Sequence, residues 1–528
     1  RNFQLAFTLY EKLQRVDSLH LNGHDFVAVI KACTDLKDPE IALQLHAEVA
    51  RIVCLEQNIF VGTALVTMYA KCGSLVNAQE VFNMHQNQDI SSWNALISGY
   101  VAFGDGKQVL NCFENMQMRG VLPNSITFVC MLKVCGIVQA IGKGHEIHTR
   151  IGHAYLDENP FLGNALVDMY AKCGFLTKAQ QVFDILPVHD TISWNVLITA
   201  YARHGLLVKA QELFDKLLAR DIVSWNALIA GYAENGNARE ALKCYNLMLK
   251  DGISPNSSTF VSTLKACGSI GAEDNGRKIH DEIIKRKLVG KDLMVGRSLI
   301  DMYAKCGAFA KAYEVYRKLP SRDTVSLTAL VAGYAKHGLF AEAHKIFNEL
   351  QVQGVISWNA LIAGYVEYGY NKEAIECFDK MQQENVPPNN VTFVCALKAC
   401  SSRGAIDRGQ AIYAEISRKG WLEKDISIGN ILIDMYAKGN FIAKAREVLE
   451  ELPHPDLVSW NALMAGYAAH GYVAKAKEVF DMLKVRDVIT WNTLIVSYAE
   501  YGQAENALHY FDKMHLEGVL PDVVTFAT

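Results

Sequence analysis

The nine residues SWNALIAGY occupy positions 224–232 and recur unchanged at 357–365, with close variants at 92–100, 193–201, 459–467 and 490–498. Their tryptophans (Trp93, Trp194, Trp225, Trp358, Trp460 and Trp491) stand 101, 31, 133, 102 and 31 residues apart. Self-similarity at such periods marks an array in which each repeat is one supersecondary unit. The spacings resolve into repeats of 31, 35 and 36 residues, which places boundaries at 23–58, 59–89, 90–124, 125–159, 160–190, 191–221, 222–256, 257–292, 293–323, 324–354, 355–389, 390–425, 426–456, 457–487 and 488–522. A partial repeat (1–22) precedes these fifteen and the start of another (523–528) follows, so both ends break off inside the pattern. No Pro-rich, Ser-rich or charged seam interrupts the run, which reads as one array.

Each repeat reads as two helices. Trp225, Leu228, Ile229 and Tyr232 follow the i, i+3, i+4, i+7 rule and make one apolar stripe. The turn ENGN follows, with Gly236 available for a positive φ, and Ala241, Tyr245 and Met248 form a second stripe. Ala230 and Gly231 would let paired helices approach closely. Neither helix buries its stripe alone, so neighbouring repeats must stack, giving an all-α solenoid with a continuous core. Such an array also suits a chain of 528 residues, half of them hydrophobic and a fifth charged, which exceeds one ordinary core. The net charge of −4 means that any basic surface is local, and no apolar run is long enough to span a bilayer. Thirteen cysteines, with no CxxC among them, read as reduced, buried, small apolar residues of an intracellular protein.

The alternation of lengths resembles the pentatricopeptide repeat family, specifically its PLS subclass. TFVSTLKACGSIGAEDNGRKIHDEI (259–283) resembles the L type, LGNALVDMYAKCG (162–174) the S type, and VSWNALIAGYAENG with its following GISPN the P type. The order is then L, S, P, L, S, S, P, L, S, S, P, L, S, S, P; residues 1–22 belong to a P-type and 523–528 to an L-type repeat. The resemblance implies a right-handed superhelix of helix-turn-helix repeats that binds single-stranded RNA, one base per repeat, in a mitochondrion or chloroplast. It also implies a part in C-to-U editing, with editing-complex proteins as partners. The deaminase domain often carried by such proteins needs H-x-E followed by P-C-x-x-C. HAE (46–48) and HDE (280–282) match the first half, but P-C-x-x-C is absent, so neither catalysis nor a cofactor is expected of these residues.

In that family the fifth residue of a repeat faces the base and the last residue is the second reader. An amide at the fifth position suits a pyrimidine edge, and a shorter Thr leaves room for a purine. At the last position Asp accepts from the ring N–H of U or G, whereas Asn can donate to C or A. On this basis Thr63/Asp89 implies G, and Asn94/Asn124, Asn226/Asn256 and Asn359/Asn389 imply C or U. Asn164/Asp190, Asn195/Asp221, Asn430/Asp456, Asn461/Asp487 and Asn492/Asp522 each imply U. Arg297/Asp323 departs from the pattern and has no assignment; Thr328/Gly354 leans to purine with its second reader removed. The L-type repeats carry Val27, Val129, Val261 and Val394, which cannot bond a base edge and act as spacers. With the N-terminus matched to the RNA 5′ end, the ligand is roughly G-Y-n-U-U-Y-n-n-R-Y-n-U-U-U, where Y is pyrimidine and R purine.

The second residue should be apolar, to sandwich bases, as are Phe161, Ile192, Val223, Val325, Ile356, Val458 and Ile489; Ser91 and Ser427 are weaker. The thirteenth should meet phosphate, as Lys71, Lys172, Arg203, Lys305, Lys336 and Lys438 could, whereas Ala102, Glu234, Glu367, Ala469 and Glu500 break the stripe. Other readings stand beside these. The Asn after Trp could be a helix-start residue, the Trp core filler, the recurring His46, His148 and His280 packing residues, and the lysines a solvated face. The alternative functions are a protein-binding scaffold, or RNA binding in stability or splicing rather than editing.

Overall fold

The computed structural model describes residues 23–34, 38–52, 58–84, 88–320 and 323–527. The partial repeat read at 1–22 lies outside them. Among the described residues there are 31 helices and no strand. The chain forms two compact halves, 1–263 and 264–528, which divide within the helix Ser257–Ser269. Each half is a stack of helical hairpins, an α-solenoid.

A typical repeat opens with a thirteen-residue helix such as Ile222–Glu234, turns through a left-handed glycine such as Gly236 (φ 81°), and returns in a second helix. The length classes have a simple origin. In 35-residue repeats the second helix spans thirteen residues, as in Ala238–Lys250 and Asn371–Gln383. In 31-residue repeats it spans ten, as in Leu207–Lys216 and Val473–Met482, so about one turn is missing from the second helix and none from the first.

Stacking uses three recurring contacts, each joining a first helix to the preceding repeat. Trp93, Trp225, Trp358 and Trp491 are buried and meet Phe82, Phe214, Phe347 and Phe480 of the preceding second helix edge-on, with ring centroids 4.6–4.7 Å apart. The tryptophan is therefore core. Glycine of the AGY sequence faces the next-to-last residue of the first helix in the repeat before, an alanine: a Cβ on Gly231 would lie 2.4 Å from Ala202 Cβ, and one on Gly466 2.5 Å from Ala437 Cβ. The close approach at Gly231 thus runs between successive first helices rather than within a hairpin, where two first helices meet across a single methyl group. The third contact is a hydroxyl bond. Tyr100, Tyr201 and Tyr232 donate to Gln79, Gln180 and Gln211 of the preceding second helix, each at 3.1 Å.

Histidine takes the glutamine's part where a 31-residue repeat follows a longer one. His46, His148 and His280 Nδ1 bond the hydroxyls of Tyr69, Tyr170 and Tyr303 at 2.8–2.9 Å. Burial lowers the pKa of His46 and His280, favouring the neutral ring. These histidines pack repeats together, and no group of three or more His, Cys, Asp or Glu among the described residues is placed to hold a metal. The described cysteines are free thiols, and burial holds Cys112, Cys135, Cys244 and Cys267 up at about 11–12.

The fourth such junction is imperfect. Tyr413 stands where the other three have histidine; it donates outward to Glu451 Oε2 (2.7 Å) and leaves the buried Tyr436 hydroxyl without a partner. Tyr413→His should supply that partner at the cost of one exposed bond, raising stability by roughly 0.5–1.5 kcal/mol. Urea unfolding of the two proteins measures this; a variant no more stable than the parent would show that the orphaned hydroxyl carries no penalty.

Candidate nucleic-acid interface

The end of each repeat is set by helix capping. A first helix needs an acceptor for the N–H groups of its first turn, and Asp and Asn are among the best suppliers. Asp89, Asn124, Asp190, Asp221, Asn256, Asp323, Asn389, Asp456, Asp487 and Asp522 all fill that place, each accepting through Oδ1 from the backbone N–H three residues on at 2.8–3.1 Å. Gly354 supplies no side-chain cap. The fifth residue is not a cap: Asn226 lies inside its helix, whose N-cap is Asp221.

The fifth residue instead bonds the cap of the following helix, so the two positions named from the sequence meet. Asn94 Nδ2 donates to Asn124 Oδ1 (3.0 Å), Asn226 to Asn256 (3.1 Å) and Asn359 to Asn389 (3.0 Å). Asn164 reaches Asp190 (3.2 Å), Asn195 Asp221 (3.1 Å), Asn430 Asp456 (3.3 Å), Asn461 Asp487 (3.2 Å) and Asn492 Asp522 (2.8 Å). Thr63 reaches Asp89 through Ser92: Thr63 Oγ1 lies 2.8 Å from Ser92 Oγ, which donates to Asp89 Oδ1 at 2.6 Å. Arg297 forms an ion pair with Asp323. Thr328 donates to the Thr324 carbonyl (2.8 Å) and has no side chain to meet at Gly354.

A third member of the group was not singled out from the sequence. It is the Ser or Thr immediately before the tryptophan, or the equivalent Thr of a longer repeat. Thr127, Thr259, Thr392, Ser459, Thr490 and Thr525 donate to the Oδ1 of Asn94, Asn226, Asn359, Asn430, Asn461 and Asn492 at 2.5–2.9 Å. Ser193 and Ser224 turn to their own cap's carbonyl instead, both at 2.8 Å, and Asn195 Oδ1 is left buried without a partner. The invariable Ser or Thr of the repeated phrase was the available signal.

These bonds fix which atom of the last residue remains. The capping atom must be an oxygen, so an Asn there turns its Nδ2 away from the helix. Nδ2 of Asn124, Asn256 and Asn389 takes part in none of these bonds, and neither does Oδ2 of Asp89, Asp487 or Asp522, whereas Oδ2 of Asp190, Asp221 and Asp456 shares the fifth-position amide at a longer 3.3–3.5 Å. Asn thus leaves a donor and Asp an acceptor, one atom apart in chemistry and alike in position. Partial burial pushes the Asp487 carboxyl up, but the bonds from Thr490 and Asn461 outweigh it and hold it below the ordinary range; Asp190 and Asp456 behave alike. The carboxylates are ionised acceptors at neutral pH.

The second residues stand in solvent. Phe161, Ile192, Val223, Val325, Ile356, Val458 and Ile489 are 52–72% exposed, large apolar side chains that the core does not use. Phe60, Ile126, Met294, Val391 and Val524 occupy the same place and are likewise exposed. Ser91 is exposed and Ser427 half-buried. Second and fifth residues together line recurring cavities. One of about 470 Å³ is bounded by Ile192, Val223, Asn195 and Asp221, with Lys172 and Arg203 at its edge. Another of about 400 Å³ repeats the arrangement with Ile489, Val524, Asn492 and Asp522. Thr63, Lys71, Asn94, Asn124 and Ile126 line a third. Val27, Val129, Val261 and Val394 are half-buried and bring no polar atom.

The cations divide into two kinds. Lys172, Lys305 and Lys438 are bound to Asp168, Asp301 and Asp434 one turn back in their own helices at 2.7–2.8 Å. Thr199 and Ala332 stand at that place before Arg203 and Lys336, which are exposed. Ala102, Glu234, Glu367, Ala469 and Glu500 leave gaps, as their identities require.

The comparisons with known proteins agree with this architecture. The PPR repeat family matches residues 88–136, 220–269, 353–402 and 486–528, and the PPR repeat matches 164–188, 192–222, 297–323, 325–355, 430–454 and 458–488. A chloroplastic pentatricopeptide repeat-containing protein of Arabidopsis thaliana is 30% identical over 457 residues, 87% of this chain and 63% of the relative. A second Arabidopsis protein of that description is 32% identical over 460 residues, 86% of this chain and 61% of its own. A mitochondrial one is 28% identical over 434 residues, covering 82% and 36%. This chain therefore spans about six tenths of the first two relatives. The crystal structure of the pentatricopeptide repeat protein PPR10 from maize superposes with a TM-score of 0.50 at 18% identity, over 99% of this chain and 88% of that one. Its complex with an 18-nt psaJ RNA element gives 0.55 at 20% identity, over 99% and 79%. By its repeats, its hairpin stack and these matches, the chain belongs to the pentatricopeptide repeat family.

Proposed function

We propose that this chain is a sequence-specific binding module for single-stranded RNA, reading one base per repeat with the fifth and last residues. The observation that carries the reading is the atom that capping leaves on last residues such as Asp487 and Asn124, Oδ2 of Asp or Nδ2 of Asn, with exposed second residues beside it. An acceptor there meets the ring N–H of U or G and a donor meets the bare ring nitrogen of C or A. The ligand is then roughly G-Y-n-U-U-Y-n-n-R-Y-n-U-U-U. The maize relative's complex with an RNA element supports the ligand class. The alternating 31-, 35- and 36-residue repeats support the PLS subclass and a role as target-recognition part of a C-to-U editing factor. Relatives named chloroplastic and mitochondrial support an organelle as its place.

The phosphate contribution follows from the cations. Six contacts would give a slope of log K against log salt of roughly −4, at about −0.7 per single-strand contact. Three of the six lysine and arginine side chains already hold a carboxylate, so a slope between roughly −1 and −4 is expected from titrations across a salt series. A slope near −8 would mean that another basic surface binds the RNA.

The decisive experiment concerns Asn461. Asn461→Thr withdraws the amide, keeps the Asp487 cap, and reproduces the Thr63–Ser92–Asp89 arrangement already present in the chain. The base preferred opposite repeat 457–487 should move from U to G, with a switch of about 1–2 kcal/mol, or roughly ten- to thirtyfold. Parent and variant are titrated against four RNAs that differ only at that base. Equal weakening on all four would make Asn461 a structural residue and refute base reading on this face.

A further inference from the structure

Arg297 stands at a fifth position where every comparable repeat has Asn or Thr, and the structure shows what it does to the last residue. Asp323 caps the next helix through Oδ1, which accepts from Ser326 N at 2.9 Å, as its counterparts do. Its other oxygen differs from theirs: Oδ2 is held by both Nε and Nη2 of Arg297. In repeats ending at Asp89, Asp487 and Asp522 that oxygen takes no such bond, and at Asp190, Asp221 and Asp456 it meets only the neutral amide of the fifth-position Asn, at 3.3–3.5 Å. The guanidinium also reaches the second residue of the same repeat, with Nη1 4.0 Å from Sδ of the exposed Met294.

We propose that the Arg297–Asp323 ion pair closes the base site of repeat 293–323, so that this repeat passes one nucleotide without selecting it. The inference rests on the base reading proposed above. Arginine keeps its charge at any physiological pH, so the pair does not open by titration. A base N–H could reach Oδ2 only by displacing a half-buried bond in which both partners are charged, whereas the base brings a neutral donor. What remains on the guanidinium is donors alone, and all four bases carry acceptors able to meet them. The acceptor that favours U or G elsewhere is consumed inside the protein.

The test uses two RNA series built on the 14-nucleotide ligand. One varies the eighth nucleotide, opposite repeat 293–323; the other varies the thirteenth, opposite repeat 457–487. The intact chain should favour U about tenfold or more at the thirteenth position and bind all four bases within about threefold at the eighth. Arg297→Asn frees Oδ2 and recreates the Asn–Asp pair of the sister repeats, and should bring a preference for U to the eighth position alone. Arg297→Thr should bring a preference for G there. Selection at the eighth position by the intact chain, alongside selection at the thirteenth, overturns the inference and leaves base reading standing. Failure of both variants to gain selection, with the thirteenth position still selective, overturns it as well. A flat response at both positions in the intact chain refutes base reading itself, and the inference falls with it.

Discussion

The hydrogen bond from a repeat-terminal Asp or Asn to the first turn of the next helix is the interaction on which the rest of this structure depends. Losing such a cap costs about 1 kcal/mol, and the array forms one at nearly every junction. The bond also decides chemistry. Because the cap consumes Oδ1, the side chain presents its other atom in a fixed place, and the fifth-position Asn is held against it by its own amide hydrogen. Folding and presentation are the same event. Gly354 apart, the last position is filled by two isosteric side chains that suit a helix terminus, and those two happen to offer opposite hydrogen-bonding character. Gly354 shows the other side of this coupling, since it caps with no side chain and presents none.

Around that bond the stacking contacts act only between neighbours, as in other solenoids. Trp225 reaches back to Phe214 and Gly231 to Ala202, and Tyr232 gives its hydroxyl to Gln211. The first helix Ile222–Glu234 is thereby seated on the repeat before it by an aromatic pair, a bare backbone face and one polar bond. The seating holds second and fifth residues of successive repeats around common cavities, so positions about thirty residues apart in the chain act together. Electrostatics is muted by comparison. The aspartate one turn before Lys172, Lys305 and Lys438 neutralises each lysine within its own helix.

Much of this could be read from residue order. Repeat spacing with the 3.6-residue period was enough for the hairpins, and the fifth and last positions were paired through the resemblance to the family. The apolar identity of Ile192 and Val223 at the second position was legible, and the structure adds their exposure. What stayed hidden was geometry between repeats. The D-x-x-x-K spacing in DMYAK was visible, yet whether Lys172 faces solvent or Asp168 depends on rotamers. Gly231 was correctly read as a point of close approach, but its partner, Ala202, lies in the preceding repeat. The Ser before each Trp drew no reading of its own, and its bond to an Asn about thirty residues earlier has no local signature. The difference between Oδ1 and Oδ2 of one carboxylate is not written in a sequence at all.

The ten- and thirteen-residue second helices carry one more consequence. Most of the variation in repeat length resides in the helix that contributes neither second, fifth nor thirteenth residue and in the linker after it, while the described first helices of complete repeats stay within 12–14 residues. Insertions and deletions of about a turn can therefore accumulate along one row of the array while the row bearing the polar pairs keeps its internal order. A lineage of such proteins could lengthen, shorten or reshuffle repeats as whole cassettes, and each cassette would arrive with its reading residues already in phase.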